Sequence, residues 1–243
     1  DIQVPLIAET GGQNCMIVDS TALPEQVVDD VISSGFQSAG QRCSALRVLF
    51  VQEEIADKVI TMIKGALQEL HIGNPAMLST DVGPVIDQKA FDALNDHVEY
   101  LKGRSTLHYE CKTPEMGDTG NFFFAPRLYE ISDLSVLTKE VFGPCVHVIR
   151  FKGSDLDNVI NQVNATGFGL TMGIHTRIEE RAHYLAKMSR AGNVYINRNM
   201  IGAVVGVQPF GGQGLSGTGP KAGGPHYLYR FTDVHFSQSQ SKA

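Results

Sequence analysis

The sequence has no tryptophan, four cysteines in 243 residues and no long apolar run. Cys15, Cys43, Cys111 and Cys145 lie far apart and form no CxxC pair, so neither a disulfide framework nor a thiolate zinc site is indicated. A chain of this size does not need disulfide staples, and the expected setting is reducing and cytoplasmic. The longest strongly apolar stretch, Met200–Val207, contains two glycines and is too short to span a bilayer. A charged-then-apolar leader is missing as well. The eight histidines are dispersed without HxxxH or His/Cys spacing, so no metal site is expected. Basic clusters are lacking and the formal net charge is −6, which argues against a nucleic-acid partner.

What remains is an ordinary globular balance, 42% hydrophobic and 19% charged. Helical and strand patterns alternate. Cys15–Val18 reads as a short buried strand. A helix follows, capped by Ser20 or Thr21 with Pro24 in its first turn, and Val27, Val28, Val31, Ile32 and Phe36 share one face. Arg47–Gln52 is the next strand and Glu54–Leu70 the next helix, striped by Ile55, Val59, Ile63 and Leu67. Asp87–Leu101 is a third helix. Strands are expected at Thr106–Glu110, Phe122–Tyr129 and Val146–Phe151, then a helix capped by Ser154 and running through Val163. Met172–His175, Glu179–Ser189 and Val194–Ile196 read as strand, helix and strand. The fold class is therefore α/β, a largely parallel sheet flanked by helices. From Asn197 glycine and proline become dense, which predicts long shaped loops. Tyr227–Ser237 regains a strand pattern, and Gln238–Ala243 is a polar tail expected to be disordered.

One thiol stands apart from the other three. Cys43 sits on the turn Ala39-Gly40-Gln41-Arg42, between a helix and a strand. Such a turn gives access, and its backbone N–H groups can stabilise a thiolate or an oxyanion. Taken alone, Cys43 also fits a buried structural cysteine. Glu9, in Glu9-Thr10-Gly11-Gly12, is a carboxylate beside a tight turn, readable as a general base or a solvated turn residue. Glu140, in Glu140-Val141-Phe142-Gly143-Pro144, is either a presented carboxylate or a surface-loop residue. Gly212-Gln213-Gly214-Leu215-Ser216-Gly217 spells GxGxxG but is rejected as a dinucleotide fingerprint. Pro209 precedes it and no helix pattern follows.

Together these motifs resemble the NAD(P)-dependent aldehyde dehydrogenase superfamily. Glu9–Gly12, Gly40–Cys43, Glu140–Pro144, Asn193–Asn197 and Pro209–Gly212 follow its signatures in order and spacing. Cys43-Ser44, Asn197–Gln208 and Ser216–Pro225 resemble the glutamate-semialdehyde (pyrroline-5-carboxylate) dehydrogenases, above all those within bifunctional bacterial proteins of proline catabolism. The resemblance implies that Cys43 is the nucleophile and that Glu9 activates the deacylating water. It implies that Glu140 and Phe142 meet the cofactor NAD. Ser44, Gly202, Ala203 and Phe210 would bind the substrate, the first three at its α-carboxylate. Residues 1–226 would form the catalytic domain and residues 227–243 a C-terminal oligomerisation strand, near Phe231–Phe236, with a polar tail.

The resemblance also implies partners. The Rossmann half that binds most of NAD would precede Asp1, making this chain a piece of a longer protein and a homo-oligomer. FAD would belong only to a separate proline dehydrogenase domain. Two other readings stand beside this one: an inactive folding or assembly module, and a cofactor-free cysteine hydrolase using Cys43 and Glu9.

Overall fold

The computed structural model describes residues 6–114 and 122–232. Its framework is a seven-stranded sheet. In chain order the elements are β1 (Cys15–Val18), α1 (Pro24–Phe36), β2 (Val48–Gln52), α2 (Glu53–Gln68), α3 (Gln88–Leu101), β3 (Ser105–Glu110) and β4 (Arg127–Ile131). They continue with β5 (Cys145–Phe151), α4 (Leu156–Ala165), β6 (Phe168–Gly169), β7 (Thr171–His175), α5 (Glu179–Met188), β8 (Asn193–Ile196) and β9 (Gln213–Gly214). The large sheet has the order β3-β4-β5-β2-β1-β7-β8, and only β3 runs antiparallel, against β4.

The central strands read as near-continuous apolar runs because both their faces are covered. Every residue of β1, β2 and β7 is buried. Edge strand β3 has no fully buried residue, only half-buried and exposed ones. On α1, Val27, Val28, Val31 and Phe36 turn inward and pack with α2 over the sheet. Along the sheet the step from β1 to β2 runs opposite to the steps from β5 to β7 and from β7 to β8, so the right-handed crossover rule puts α1 on one face and α4 and α5 on the other.

Several expected boundaries move. Neither Ser20 nor Thr21 caps α1; Leu23 is its N-cap residue and makes no side-chain cap bond. Thr21 instead donates to Asp19 at 2.6 Å. Ser154 lies inside a 3-10 turn, Gly153–Asp155, and α4 begins after it without a side-chain cap. The fourth strand starts at Arg127 rather than Phe122, because Phe122–Pro126 packs as irregular chain over α3, with Phe124 edge-on to Phe91. Leu228–Phe231 forms a 3-10 turn where a strand was expected. The rest of the proposed oligomerisation strand and the polar tail lie outside the described residues. The literal GxGxxG falls on β9, a two-residue strand paired antiparallel with β6, and is not followed by a helix. Among the described residues no helix is long and apolar enough to cross a membrane.

Candidate active site

The candidate residues gather at one edge of the sheet, in segments that lead into its parallel strands. Asn14 immediately precedes β1, Cys43–Arg47 precedes β2, Glu140–Pro144 precedes β5, and Thr171 opens β7. Ligands of open α/β sheets usually meet the carboxyl ends of the strands. Here the chemistry-bearing side chains sit at the amino ends.

Helix α1 delivers the thiol. It runs into a 3-10 turn, Gln37–Gly40, in which Ser38, Ala39 and Gly40 have positive φ. Gly40 has no alternative there, since a Cβ would stand 2.2 Å from the Gly143 carbonyl oxygen. The Cys43 turn and the Glu140–Pro144 segment thus touch backbone to backbone. Gln41 ties a third loop in: its amide oxygen accepts from the Ile86 N–H at 2.8 Å. Asn14, fully buried, fixes the other side of the thiol. Its Nδ2 donates to the Cys43 and Ala45 carbonyls at 2.6 and 2.9 Å, and its Oδ1 accepts from the Thr171 N–H at 3.2 Å. Thr171 Oγ1 donates to the Ser44 carbonyl at 3.2 Å.

Arg47 joins the motifs. Its side chain is 0% exposed, yet it carries a charge. Nη1 donates to the Gly40 carbonyl at 2.6 Å and to the Gly143 carbonyl at 3.3 Å. Nη2 donates to the Arg42 carbonyl at 3.0 Å and to Glu140 Oε1 at 3.2 Å. Its guanidinium carbon lies 5.0 Å from the centre of the Phe142 ring. A buried guanidinium is tolerated only with partners of this kind, because desolvation of an unpaired charge costs several kcal/mol or more. The Glu140 carboxylate also accepts from the Gly12 N–H at 3.1 Å. Gly11 leaves room for it, as a Cβ there would overlap Glu140 Oε2 at 1.7 Å.

Glu9 reaches the same place along a different path. The glycine-rich segment 215–218 pairs with it: the Thr10 N–H donates to the Ser216 carbonyl at 3.2 Å and the Thr218 N–H to the Ala8 carbonyl at 2.9 Å. Glu9 itself is exposed and therefore open to water. Its charge acts on the thiol. Burial pushes the half-buried Cys43 thiol above its usual range, the N–H groups of Ser44 and Cys43 pull it down, and Glu140 and Glu9 push it up again. The net direction is upward, so the turn does not produce a resting thiolate, although its amides act in the direction expected of an oxyanion site. Cys15 and Cys145 are deeply buried and pushed up to about 12, which makes them inert.

Among the proposed substrate contacts, Ser44 is buried behind Cys43, and Gly202 is exposed with φ of +76°. Ala203 is half-buried. Phe210 is held by a two-way backbone bridge with Ala222, at 3.0 and 2.8 Å. Asn193, at the start of β8, braces this segment by donating to the Pro209 carbonyl at 2.9 Å. Sequence reasoning missed Arg47, which looked like the polar start of a strand, and passed over Asn14, which no motif singles out. Among the described residues there is no group of three or more His, Cys, Asp or Glu side chains suited to a metal ion.

A parallel α/β sheet with a cysteine turn clasped between an ETGG segment and an EVFGP segment defines an aldehyde dehydrogenase-type catalytic domain. The sequence profile of the aldehyde dehydrogenase family matches residues 3–236, and the chain belongs to that family. It is 54% identical over 230 residues to the bifunctional protein PutA of Klebsiella aerogenes, covering 93% of this chain and 18% of that protein. It is 35% identical over 226 residues to the 1-pyrroline-5-carboxylate dehydrogenase of Geobacillus kaustophilus, covering 92% of this chain and 43% of that one. A crystal structure of a bifunctional proline utilization A protein superposes with a TM-score of 0.90 at 56% identity, over 93% of this chain and 23% of that one. A 1-pyrroline-5-carboxylate dehydrogenase from Thermus, solved with bound NAD, gives 0.85 at 33% identity, over 93% and 43%. The chain thus spans less than half the length of each of these relatives.

Proposed function

We propose that this chain is the catalytic part of an NAD-dependent L-glutamate γ-semialdehyde dehydrogenase, within a longer protein that also carries a proline dehydrogenase. The observation that carries the reading is the junction at Arg47, where the Cys43 turn and the Glu140 segment are tied to one guanidinium. Identity to the PutA proteins and to the pyrroline-5-carboxylate dehydrogenases over nearly all of this chain favours the substrate.

Cys43 Sγ, once deprotonated, bonds to the aldehyde carbon and gives a thiohemiacetal. Its oxyanion accepts from the Cys43 N–H. NAD, when bound, supplies the hydride acceptor. Loss of hydride leaves a thioester on Cys43. Glu9 then takes a proton from a water that attacks the acyl carbon, and glutamate leaves as the thiolate is restored.

The residues present fit a nicotinamide riboside. Glu140 is pinned by Arg47 and Gly12 while its side chain stays 16% exposed, so lone pairs remain for ribose hydroxyls, and the 45% exposed Phe142 ring offers an adjacent apolar face. Ser44, Gly202 and Ala203 bind the α-carboxylate, Phe210 borders the carbon chain, and the Gly-rich segment supplies N–H donors without a buried counter-charge. The dinucleotide domain comes from another part of the protein, FAD belongs to the proline dehydrogenase part, and the assembly is a cytoplasmic homo-oligomer. The test is NADH formation by the full-length protein with the semialdehyde. A folded protein that leaves NAD unreduced overturns the assignment.

A further inference from the structure

Helix α1 does more than deliver Cys43. Gln26, Asp30 and Ser34 recur every fourth residue and so share one face. All three meet the segment that leaves β8. Gln26 Nε2 donates to the Asn197 carbonyl at 2.8 Å. The Asn199 N–H faces the Asp30 carboxylate and favours its charged form, while Asp30 Oδ2 itself has no hydrogen-bond partner. Ser34 Oγ accepts from the Met200 N–H at 3.0 Å. The row spans eight residues of helix, about 12 Å, and the three steps from Asn197 to Met200 reach at most about 10 Å. The segment therefore runs alongside α1, from the carboxyl edge of the sheet to its amino edge.

Both ends of this run are anchored. At the carboxyl edge, Asn197 has φ of +51°, and its side chain is bonded twice to the Thr176 backbone, at 3.0 and 2.9 Å. Buried His175 faces Asp30 from β7, with Nε2 3.4 Å from Oδ2. At the amino edge, Met200 is fully buried against Gly173. Ser34 is the joint there. Its hydroxyl holds Met200, two residues before Gly202, while its carbonyl accepts from the Leu46 N–H at 2.9 Å, three residues after Cys43.

We infer that Gln26, Asp30 and Ser34 are positioning residues that set the spacing between the Cys43 thiol and the Gly202-Ala203 segment, and so select the chain length of an ω-carboxylated aldehyde. The inference rests on the proposed binding of the substrate carboxylate by Gly202 and Ala203. None of the three side chains is assigned a contact with substrate. They act by holding the anchor at a fixed distance from the nucleophile. An error of about 1 Å in such a distance is enough to cost on the order of a hundredfold in rate.

The experiment uses the full-length protein with Gln26→Ala, Asp30→Ala, Asp30→Asn and Ser34→Ala. KM and kcat are measured for four-, five- and six-carbon ω-carboxylated aldehydes and for propanal, which has no carboxylate. Asp30→Ala and Ser34→Ala are expected to raise KM for the preferred carboxylated aldehyde about fivefold or more and to flatten the chain-length preference. The kcat should stay within about twofold and propanal should be unaffected. Asp30→Asn keeps the size of the side chain and an oxygen facing the Asn199 N–H, and is expected to restore most of the preference. Gln26→Ala, at an exposed contact, should shift it in the same direction by less and leaves folding unthreatened. Parallel losses on propanal, or an unchanged chain-length ratio in variants with a wild-type unfolding temperature, overturn the inference. A wild-type preference for a carboxylated aldehyde other than the glutamate semialdehyde removes the substrate assignment, while the variants' chain-length ratios still decide the role of the row.

Discussion

Arg47 and Glu140 meet at 3.2 Å, with the guanidinium wholly buried and the carboxylate at the rim. The same guanidinium holds the Gly40 and Arg42 carbonyls, on either side of Gln41 and just ahead of Cys43. One charge therefore fixes both the nucleophile turn and the carboxylate proposed to meet the ribose.

Replacing Arg47 should damage both at once. Arg47→Met leaves Glu140 and three carbonyls without their donor, and breaking a buried pair from one side costs about 3–5 kcal/mol. The unfolding temperature is expected to drop by several degrees, with NAD affinity and kcat falling together. Arg47→Lys keeps the charge but not the fork, and should recover part of the stability and little of the activity. A normal KM for NAD in a folded Arg47→Met protein would show that Glu140 does not depend on it.

Cys43→Ala should abolish NADH formation, while Ser or Ala at Cys15, Cys111 or Cys145 should leave it. The contrast follows from burial: Cys43 is half-buried and the other three are buried. Mass spectrometry after mild alkylation should find Cys43 labelled first. Labelling led by another cysteine would contradict the assignment.

Glu9 has a proposed role as a base and a charge effect on the thiol, and the two are separable. As a base for deacylation, its loss in Glu9→Gln should leave the first burst of NADH and slow the turnover that follows. As a charge near the thiol, its loss should lower the Cys43 pKa, because Glu9 pushes it up. Alkylation at pH 8 should therefore be faster in Glu9→Gln than in the wild type. Slower alkylation would mean that Glu9 takes the thiol proton instead.

Three buried histidines set the acid limit. Burial pushes His97 and His175 down to about 4 and His147 down to about 3. Each is neutral in the folded chain and takes up a proton near pH 6.5 when unfolded. Their stabilisation is thus full above about pH 6.5 and is lost as pH falls toward about 4. Asp19 and Glu130, held below the carboxylate range, matter only at still lower pH, and Asp30, held above it, acts in the opposite direction. Thermal unfolding should shift downward between pH 7.5 and pH 5. A constant unfolding temperature over that interval would refute the assignment of neutral buried rings.

The sheet was legible because its central strands, such as Met16–Val18 and Val48–Val51, are apolar on both faces, and period and length alone identify them. The nucleophile turn was legible because Gly40 marks a backbone that needs positive φ. Arg47 was not. A buried guanidinium serving two carbonyls of the turn before it and one of the remote Gly143 leaves no periodic trace, and a charged residue at a strand start reads as exposed. The Phe122–Tyr129 strand was extended too far because Phe122 and Phe124 have strand-like composition but spend it on α3, packing around Phe91. Side-chain caps were expected at Thr21 and Ser154 from local pattern. Thr21 bonds Asp19, two residues back, and accepts from the Arg177 N–H at 2.9 Å across the fold, while Ser154 is taken up by a 3-10 turn; these bonds and the turn geometry outweigh a cap worth about 1 kcal/mol.

Gly11 has no side chain, and the space one would take is occupied by Glu140. A methyl group at Gly11 would meet the end of a movable carboxylate rather than a wall of backbone. Gly11→Ala would accordingly evict Glu140 without unmaking the turn that carries Cys43. On the proposed roles of Cys43 and Glu140, acyl transfer to the thiol and retention of the dinucleotide would then be separable by a single carbon atom. The same position offers a route to a catalyst that still acylates and deacylates on Cys43, fed with activated esters, while its dependence on the nicotinamide is dialled down.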